Sequence, residues 1–351
     1  MGVGEDYFRA AGHGAELGLD RWRPTPLAAL ELDEIPSELH FVRDHFPAPD
    51  WDLGAWSLEL IGSSGLLRVD LDTLKRLPAR TLSVVLECAG HRRAEFEPLP
   101  GGLPWELGAV AEAHWTGTSL ASVLQIAGIP ADAHEVVLEG ADAGVVAEVG
   151  GIHRFARSLP LDKALDPDVL LTYAMNGQPI SLDRGGPVRL VVPGWYATDS
   201  VKWLDRIWFT DREFEGFFQA IDYRFCAPGE DGFGRRLGPL PVHALITTPV
   251  DGEARPGNEL VIRGTAWGGA GGIADVLVQV DAGPWSRARL GAAPGPYTRV
   301  SWESRVTLDP GAHELACRAI DGAGETQPDE PPANQRGYAN NAVHRITFVA
   351  T

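Results

Sequence analysis

The sequence predicts an α+β fold in two domains, a mixed, β-rich unit over residues 1–240 followed by an immunoglobulin-like β-sandwich over residues 241–351. Three observations carry this reading. A chain of 351 residues is too long for one ordinary hydrophobic core. Over the first 240 residues helical and strand patterns interleave without a βαβ rhythm, which disfavours a doubly wound sheet. After Pro239-Leu-Pro241, short alternating segments recur at even spacing between Gly, Pro and Asp turns, with almost no helical period.

Residues 1–50 read as irregular, with two short amphipathic helical possibilities and the Pro-marked segment Phe46-Pro-Ala-Pro-Asp50. Trp56–Ile61 alternates like a strand, Ser63-Ser-Gly65 turns, and Leu71–Leu77 has helical spacing after Asp70. Thr81–Leu86 is β-branched and apolar enough for a buried strand, which puts Cys88 just past a strand end. Thr118 is placed to cap a helix that runs to Ala127 and stops at Gly128. Val136–Glu139 and Val188–Val192 read as strands, and Leu170–Ile180 as a hairpin turning at Asn176-Gly177. In the second domain Leu260–Gly264, Val276–Asp281, Arg299–Leu308 and His313–Ile320 are the expected strands. The Cys…Trp…Cys spacing of antibody domains is absent.

A formal net charge of −18 argues against nucleic acid or an anionic membrane as a general partner. It leaves room for a small anion, because a local Arg cluster dominates the field inside a cleft. Three Cys make no disulfide framework. The N-terminal residues carry no export signature and no stretch is apolar enough to span a bilayer, so a cytoplasmic chain is expected.

The segment richest in chemistry is Leu86-Glu-Cys-Ala-Gly-His-Arg-Arg93. A thiol sits at a strand end beside a sharp turn, and three side chains able to carry positive charge follow. Cations favour the thiolate, the form that binds soft metals. The plain alternative is a buried Cys capping a core strand, but such a strand seldom runs into two guanidiniums. Cys317 reads as an inward-packed strand residue, and nothing gives Cys226 a role. The scattered Asp142, Glu148 and Asp162 read as solvated surface.

Cys88-Ala-Gly-His-Arg-Arg93 resembles the Cys-Ala-Gly-Asn-Arg-Arg motif of the sulfite oxidase family. Further likenesses follow in the family's order: Phe41-Val-Arg-Asp-His45, Gly102-Leu-Pro-Trp105, His114-Trp-Thr-Gly117, Asn176-Gly-Gln-Pro179, Pro187 to Gly194, and Ser200-Val-Lys-Trp-Leu204. Asn334-Gln-Arg-Gly337 and Asn341-Ala-Val-His-Arg345 are similar to the end of the family's dimerisation domain. The haem-binding domain of the animal enzymes has no counterpart in this chain.

The resemblance implies a sulfite-oxidase-type catalytic domain holding molybdopterin, no haem, and an immunoglobulin-like domain that forms a homodimer. Cys88 would be the protein's ligand to molybdenum. The pterin would lie against Phe41, Arg43, His45, Arg189, Ser200, Lys202 and Trp203. Arg43, Arg93 and Arg336 would form the anion pocket, with Trp105 as a wall; Arg suits this task because its fork holds two oxygens at once. The implied activity is oxidation of sulfite to sulfate, with electrons leaving to a separate acceptor such as a cytochrome. Relatives that act on sulfoxides, sulfane sulfur or nitrate supply the alternative reading. A non-catalytic binding protein with a sandwich module is the alternative of another class. The chain departs from the family at His91, Asp44, Arg184 and Asp199. Phe214-Glu-Gly-Phe217 appears where the animal enzymes place a substrate-site Tyr, with Tyr223 the nearest phenol.

Overall fold

The computed structural model describes residues 21–230, 233–269 and 271–351; the start of the irregular N-terminal segment lies outside them. Short 3-10 turns at Leu27–Glu31 and Ser37–Leu39 stand in that segment, between β1 (Trp22–Arg23) and its antiparallel partner β2 (Val42–Arg43). The strand expected at Trp56–Ile61 is β3 (Ser57–Gly62), and after the predicted turn the chain returns in an antiparallel strand not read from the sequence, β4 (Gly65–Asp70). Asp70 accepts a hydrogen bond from Thr73 N at 2.7 Å and so caps α1 (Leu71–Arg76), which buries Leu74 and ends before Pro78.

The predicted core strand is the last part of β5 (Ala79–Glu87), which runs antiparallel to β6 (Val110–Ser119). The cap of α2 (Leu120–Ala127) is Ser119, one residue later than expected. Thr118 is paired on both sides in β6, to Ala79 and Leu171, whereas Ser119, at the strand's end and paired only to Leu170, accepts from Ser122 N at 3.2 Å. Gly128 closes the helix as predicted.

The strand expected at Val136–Glu139 is the first half of β7 (Glu135–Val145), an eleven-residue strand returning in β8 (Ile152–Pro160). Its second half is small because Phe46 lies against it; a Cβ on Gly144 would sit 2.2 Å from that ring. After the short α3 (Leu161–Ala164) come β9 (Leu170–Met175) and β10 (Gln178–Pro179). They turn at Asn176 and Gly177 with φ of 50° and 73°, the two left-handed residues of a tight hairpin. Then follow β11 (Arg189–Val191), β12 (Leu204–Thr210), β13 (Arg224–Phe225) and β14 (Arg235–Arg236).

Two five-stranded sheets result, ordered β4-β3-β12-β7-β8 and β10-β9-β6-β5 with β11 beside β9. The β3–β12 pair is parallel, the other pairs in these sheets antiparallel. Leu58, Leu60, Leu138 and Ile207 of the first sheet share one core with Leu171 and Leu190 of the second and with Leu120, Val123 and Leu124 of α2.

Beyond residue 240 the chain is all strand: β15 (His243–Thr248), β16 (Glu253–Arg255), β17 (Glu259–Trp267), β18 (Ile273–Val280), β19 (Ser286–Arg287), β20 (Arg289–Leu290), β21 (Val300–Thr307), β22 (Gly311–Asp321) and β23 (His344–Ala350). They make a four-stranded sheet, β15-β17-β21-β20, and a five-stranded one, β16-β23-β22-β18-β19. Ile246, Ile262 and Trp302 of one meet Val276, Leu315 and Phe348 of the other in a common core. Cys317 is fully buried there, as its place in the strand pattern predicts. Among the described residues no helix is long and apolar enough to cross a membrane.

Candidate active site

The turn after β5 starts with Cys88, whose amide donates to Ala109 O at 2.9 Å and whose carbonyl accepts from His91 N at 2.9 Å. Arg92 then takes a left-handed φ of 59° and the chain enters a 3-10 turn at Arg93–Glu95. The C-terminal segment fixes this loop: Ala339 N donates to Ala89 O at 2.9 Å and Asn340 Nδ2 to Arg92 O at 2.9 Å. Glu87, just before the thiol, accepts from Trp267 Nε1 at 2.6 Å with His243 Nε2 at 3.2 Å, all three fully buried.

The three potential cations after Cys88 go different ways. His91 is buried against His243 and Trp267, and burial holds its pKa well below the usual histidine range. Arg92 forks onto Glu95, with Nε and Nη2 each at 2.7 Å. Only Arg93 turns toward the thiol's side of the loop. Its guanidinium passes Gly90 and Gly102 so closely that a Cβ on either would lie 2.8 or 2.9 Å from it. Arg93 and Arg43 do act to lower the Cys88 pKa, as expected, but burial outweighs them and pushes the thiol up.

Two cavities meet at Cys88, sharing Arg43, His45 and Tyr223. The inner one is lined by Phe41, Arg43, His45, Cys88, Arg189, Ser200, Lys202 and Trp203, eight residues drawn together from β2 and its flanks, the β5 end, β11 and the segment between β11 and β12. The outer one is lined by Arg43, Arg93, Trp105 and Arg336 among others. Every residue singled out for the site therefore faces one of two joined spaces.

The inner cavity is built for an anion with polar edges. Arg189 is buried over the Trp115 ring, 4.9 Å from its centroid, and donates only to the carbonyls of Arg184 and Ser200 at 2.9 and 3.0 Å. Among the described residues no carboxylate lies within 4 Å of it, and burial lowers its pKa to about 9. The buried atoms His40 Nε2, Arg189 Nε and Thr198 Oγ1, all on residues lining this space, have no hydrogen-bond partner. A buried cation with no carboxylate in contact, beside orphaned polar atoms, suits a polar, anionic ligand. The cavity encloses about 80 Å³.

His45 is kept neutral by burial and by the nearby Arg43, Arg21 and Arg93. Its Nδ1 is 3.2 Å from Arg43 Nη2, and its Nε2 is 2.7 Å from the Tyr223 hydroxyl. With Arg43 able only to donate, the neutral ring carries its proton on Nε2 and donates to the phenol oxygen. Tyr223 lies on both cavities, just after a π-helical turn, Phe218–Asp222. Phe214, where the phenol was sought, packs on Trp208 and lines neither cavity. Asp199 is the buried partner of Arg157, which donates from Nε and Nη2 at 3.0 and 2.8 Å and lies over the Tyr223 ring.

In the outer cavity Arg336 Nη1 is 2.8 Å from Asp222 Oδ1, which also accepts from Tyr338 OH at 2.9 Å. Arg93 donates from Nε to Arg336 O and from Nη1 to Leu103 O, both at 2.9 Å. Asp142 overturns its sequence reading. It is buried on the inner cavity, and its carboxyl pKa is raised to about 7 by burial and by Asp44 beside it. Glu148 and Asp162 are exposed, as read. Arg184, one of the departures, lines the inner cavity and donates to Phe41 O and Glu38 O at 3.1 and 3.0 Å.

Fold and site together define a molybdopterin-dependent oxidoreductase. Residues 45–218 match the oxidoreductase molybdopterin binding domain, and residues 236–350 match the Mo-co oxidoreductase dimerisation domain. The chain is 36% identical to the mitochondrial sulfite oxidase of Macaca fascicularis over 93% of its own length and 64% of that protein's. It is 37% identical to the sulfite oxidase of Gallus gallus, over 88% of this chain and 72% of that one. The crystal structure of the sulfane dehydrogenase SoxCD from Paracoccus pantotrophus superposes with a TM-score of 0.82 at 26% identity, covering 98% of this chain and 90% of that chain. The chain thus belongs to the sulfite oxidase family, and it spans just under two thirds of the first relatives it matches.

Proposed function

We propose that this chain oxidises sulfite to sulfate and passes the electrons singly to an external acceptor. The observation that carries the reading is the meeting of the two cavities at Cys88, an anion-demanding space on one side and an Arg-lined one on the other. Phe41, His45, Arg189, Ser200, Lys202 and Trp203 would hold molybdopterin, and Cys88 would add its thiolate to the metal. Among the described residues no three His, Cys, Asp or Glu gather as a metal site, which leaves Cys88 with the cofactor's own sulfurs. Bound there, the cofactor supplies oxygen-atom transfer to sulfur and stores two electrons.

The chain's residues do the rest. Arg93 and Arg336, which line the outer cavity, would hold the substrate oxygens, with Asp222 bonded to the Arg336 fork. His45 donates to Tyr223, so the phenol proton is free to point into the cavities and to move when the substrate or product needs it. Trp105 closes the wall, supported by Trp22 at 5.2 Å between ring centroids. The paired sheets beyond residue 240, read as an immunoglobulin-like module, would join two copies of the chain.

Oxidation of sulfane sulfur is the second reading, favoured by the similarity to the sulfane dehydrogenase along nearly the whole chain. Steady-state assays of the molybdenum-loaded protein with sulfite, thiosulfate and nitrate, using ferricyanide or reduced viologen as redox partner, separate these. Sulfite turnover well above that of the others is expected. Turnover of thiosulfate alone would establish the second reading in its place.

A further inference from the structure

The outer cavity is much larger than the anion it is read to serve. It encloses about 530 Å³, whereas sulfite needs little more than two waters at about 30 Å³ each. Cavities of several hundred Å³ are the size that suits substituted organic ligands. Its lining is mixed. Cys88 and Arg43, shared with the inner cavity, form its floor with Arg93 near the thiol. Leu103, Val146 and Phe217 offer apolar surface, and Glu148 and Asp222 add carboxylates. The lip is the end of the β7–β8 hairpin, where Val145 is 70% exposed and its cross-strand partner Ile152 is 79% exposed. Val149, in the turn between them, is also exposed. Val145 lines the cavity together with Val146 and Ala147, and Ile152, paired across from Val145, and Val149 extend the exposed aliphatic surface beside it; such a patch usually marks a binding surface.

We infer that this cavity accepts an organic sulfinate, R–SO2⁻, with its oxygens at the Arg floor and its substituent against the aliphatic lip. The inference rests on the proposed sulfur-oxyanion chemistry and names its substrate class more closely. A sulfinate keeps what sulfite presents: a sulfur lone pair and two oxygens for the guanidiniums. A carbon group replaces the third oxygen and points outward. The balanced change is R–SO2⁻ + H2O → R–SO3⁻ + 2 H⁺ + 2 e⁻. One S–O bond forms with oxygen from water, the C–S bond stays intact, and the protons go to solvent. The electrons reduce two equivalents of a single-electron acceptor such as ferricyanide.

The test uses the molybdenum-loaded protein with sulfite and benzenesulfinate in parallel, and calorimetric binding of sulfate and benzenesulfonate. Burying part of the ring should make benzenesulfonate bind about tenfold more tightly than sulfate. Benzenesulfinate should be oxidised with kcat/KM within about tenfold of sulfite. Val145→Asp and Val149→Asp, both at exposed positions, should lower the benzenesulfinate-to-sulfite ratio of kcat/KM about tenfold. Turnover of sulfite without benzenesulfinate would overturn this inference and leave the proposed function standing. Failure of both substrates in fully metallated protein would sink the proposed function, and the binding comparison alone then decides the cavity's ligand. Equal binding of sulfate and benzenesulfonate overturns the inference. So do lip variants that change only the KM of a protein electron acceptor, since the lip would then be a docking surface.

Discussion

At Cys88 the physical argument depends on burial more than on neighbouring charge. Burial raises the thiol's pKa above its ordinary value, so a soft metal proposed to bind there would have to displace the proton. Cys88→Ser should therefore leave the fold intact and abolish turnover, since a hydroxyl is a poorer soft-metal ligand. The variant's circular dichroism and molybdenum content, read with its activity, check this; wild-type turnover would remove Cys88 as the ligand. Arg336 is a different case, because its side chain is about a third exposed and tied to Asp222. A charge-assisted bond to a substrate oxygen is worth about 1.5–3 kcal/mol, and exposure discounts that toward its lower end. Arg336→Gln should accordingly raise KM for sulfite about tenfold with molybdenum unchanged. An unaltered KM would take this residue out of the site.

At the scale of elements, the π turn at Phe218–Asp222 carries more of the site than any regular strand. It sets Asp222 toward Arg336 and leads Tyr223 onto both cavities. Beneath it lies the fully buried Arg157–Asp199 pair, with Arg157 also donating to Phe218 O. Removing one partner of such a pair costs about 3–5 kcal/mol. Asp199→Asn should thus lower stability by about 3 kcal/mol and cut turnover by loosening Tyr223; urea unfolding and kcat measure the two effects. A wild-type unfolding midpoint would show the pair to be idle. Of this the sequence offered only Tyr223 as the nearest phenol and Asp199 as an unusual residue; the turn and the buried pair were not legible. A π turn has no periodic signature, and the phenol was sought at Phe214 because the local motif pointed there. The strand β12 escaped because Asp205 and Arg206 break its apolar run. Asp142 is the more instructive miss. Val136, Leu138, Gly140 and Asp142 share one strand parity and all are buried. Reading Gly140 to Gly144 as the strand's end hid an Asp that continues its buried face. What was legible was the set of ordered motifs. Residues as far apart as Arg43, Arg93 and Arg336 were named for one pocket by resemblance, and the fold brings them to one cavity.

For the whole molecule, the interior holds titratable groups whose burial fixes the pH range of stability in the cofactor-free protein. His40, His243 and His344 are buried, and desolvation lowers each pKa to about 3. Unfolded, a histidine titrates near its ordinary value of about 6.5. Their contribution is therefore complete above about pH 6.5 and is lost as pH falls toward the folded values. Two carboxyls act in the opposite sense. Burial raises Glu87 to about 8 and Asp142 to about 7, so their contribution is complete below the ordinary carboxylate range and lost as pH rises through those values. Each titrating group changes stability by about 1.4 kcal/mol per pH unit inside its window. Between about pH 4.5 and 6.5 these three histidines, joined by His45 and His91, whose pKa burial also lowers, outweigh the two most strongly raised carboxyls, so stability rises with pH. Above that the histidines are silent and the carboxyls alone remain, so stability falls toward pH 8. An optimum near pH 6.5 is expected in urea unfolding of the cofactor-free protein. His344→Asn should flatten the acid limb, because Asn keeps a hydrogen-bond acceptor for Ile246 N without titrating. It should leave the alkaline limb as it was. Stability rising steadily from pH 6.5 to 8, or an acid limb unchanged in His344→Asn, would show that these buried groups do not set the pH range.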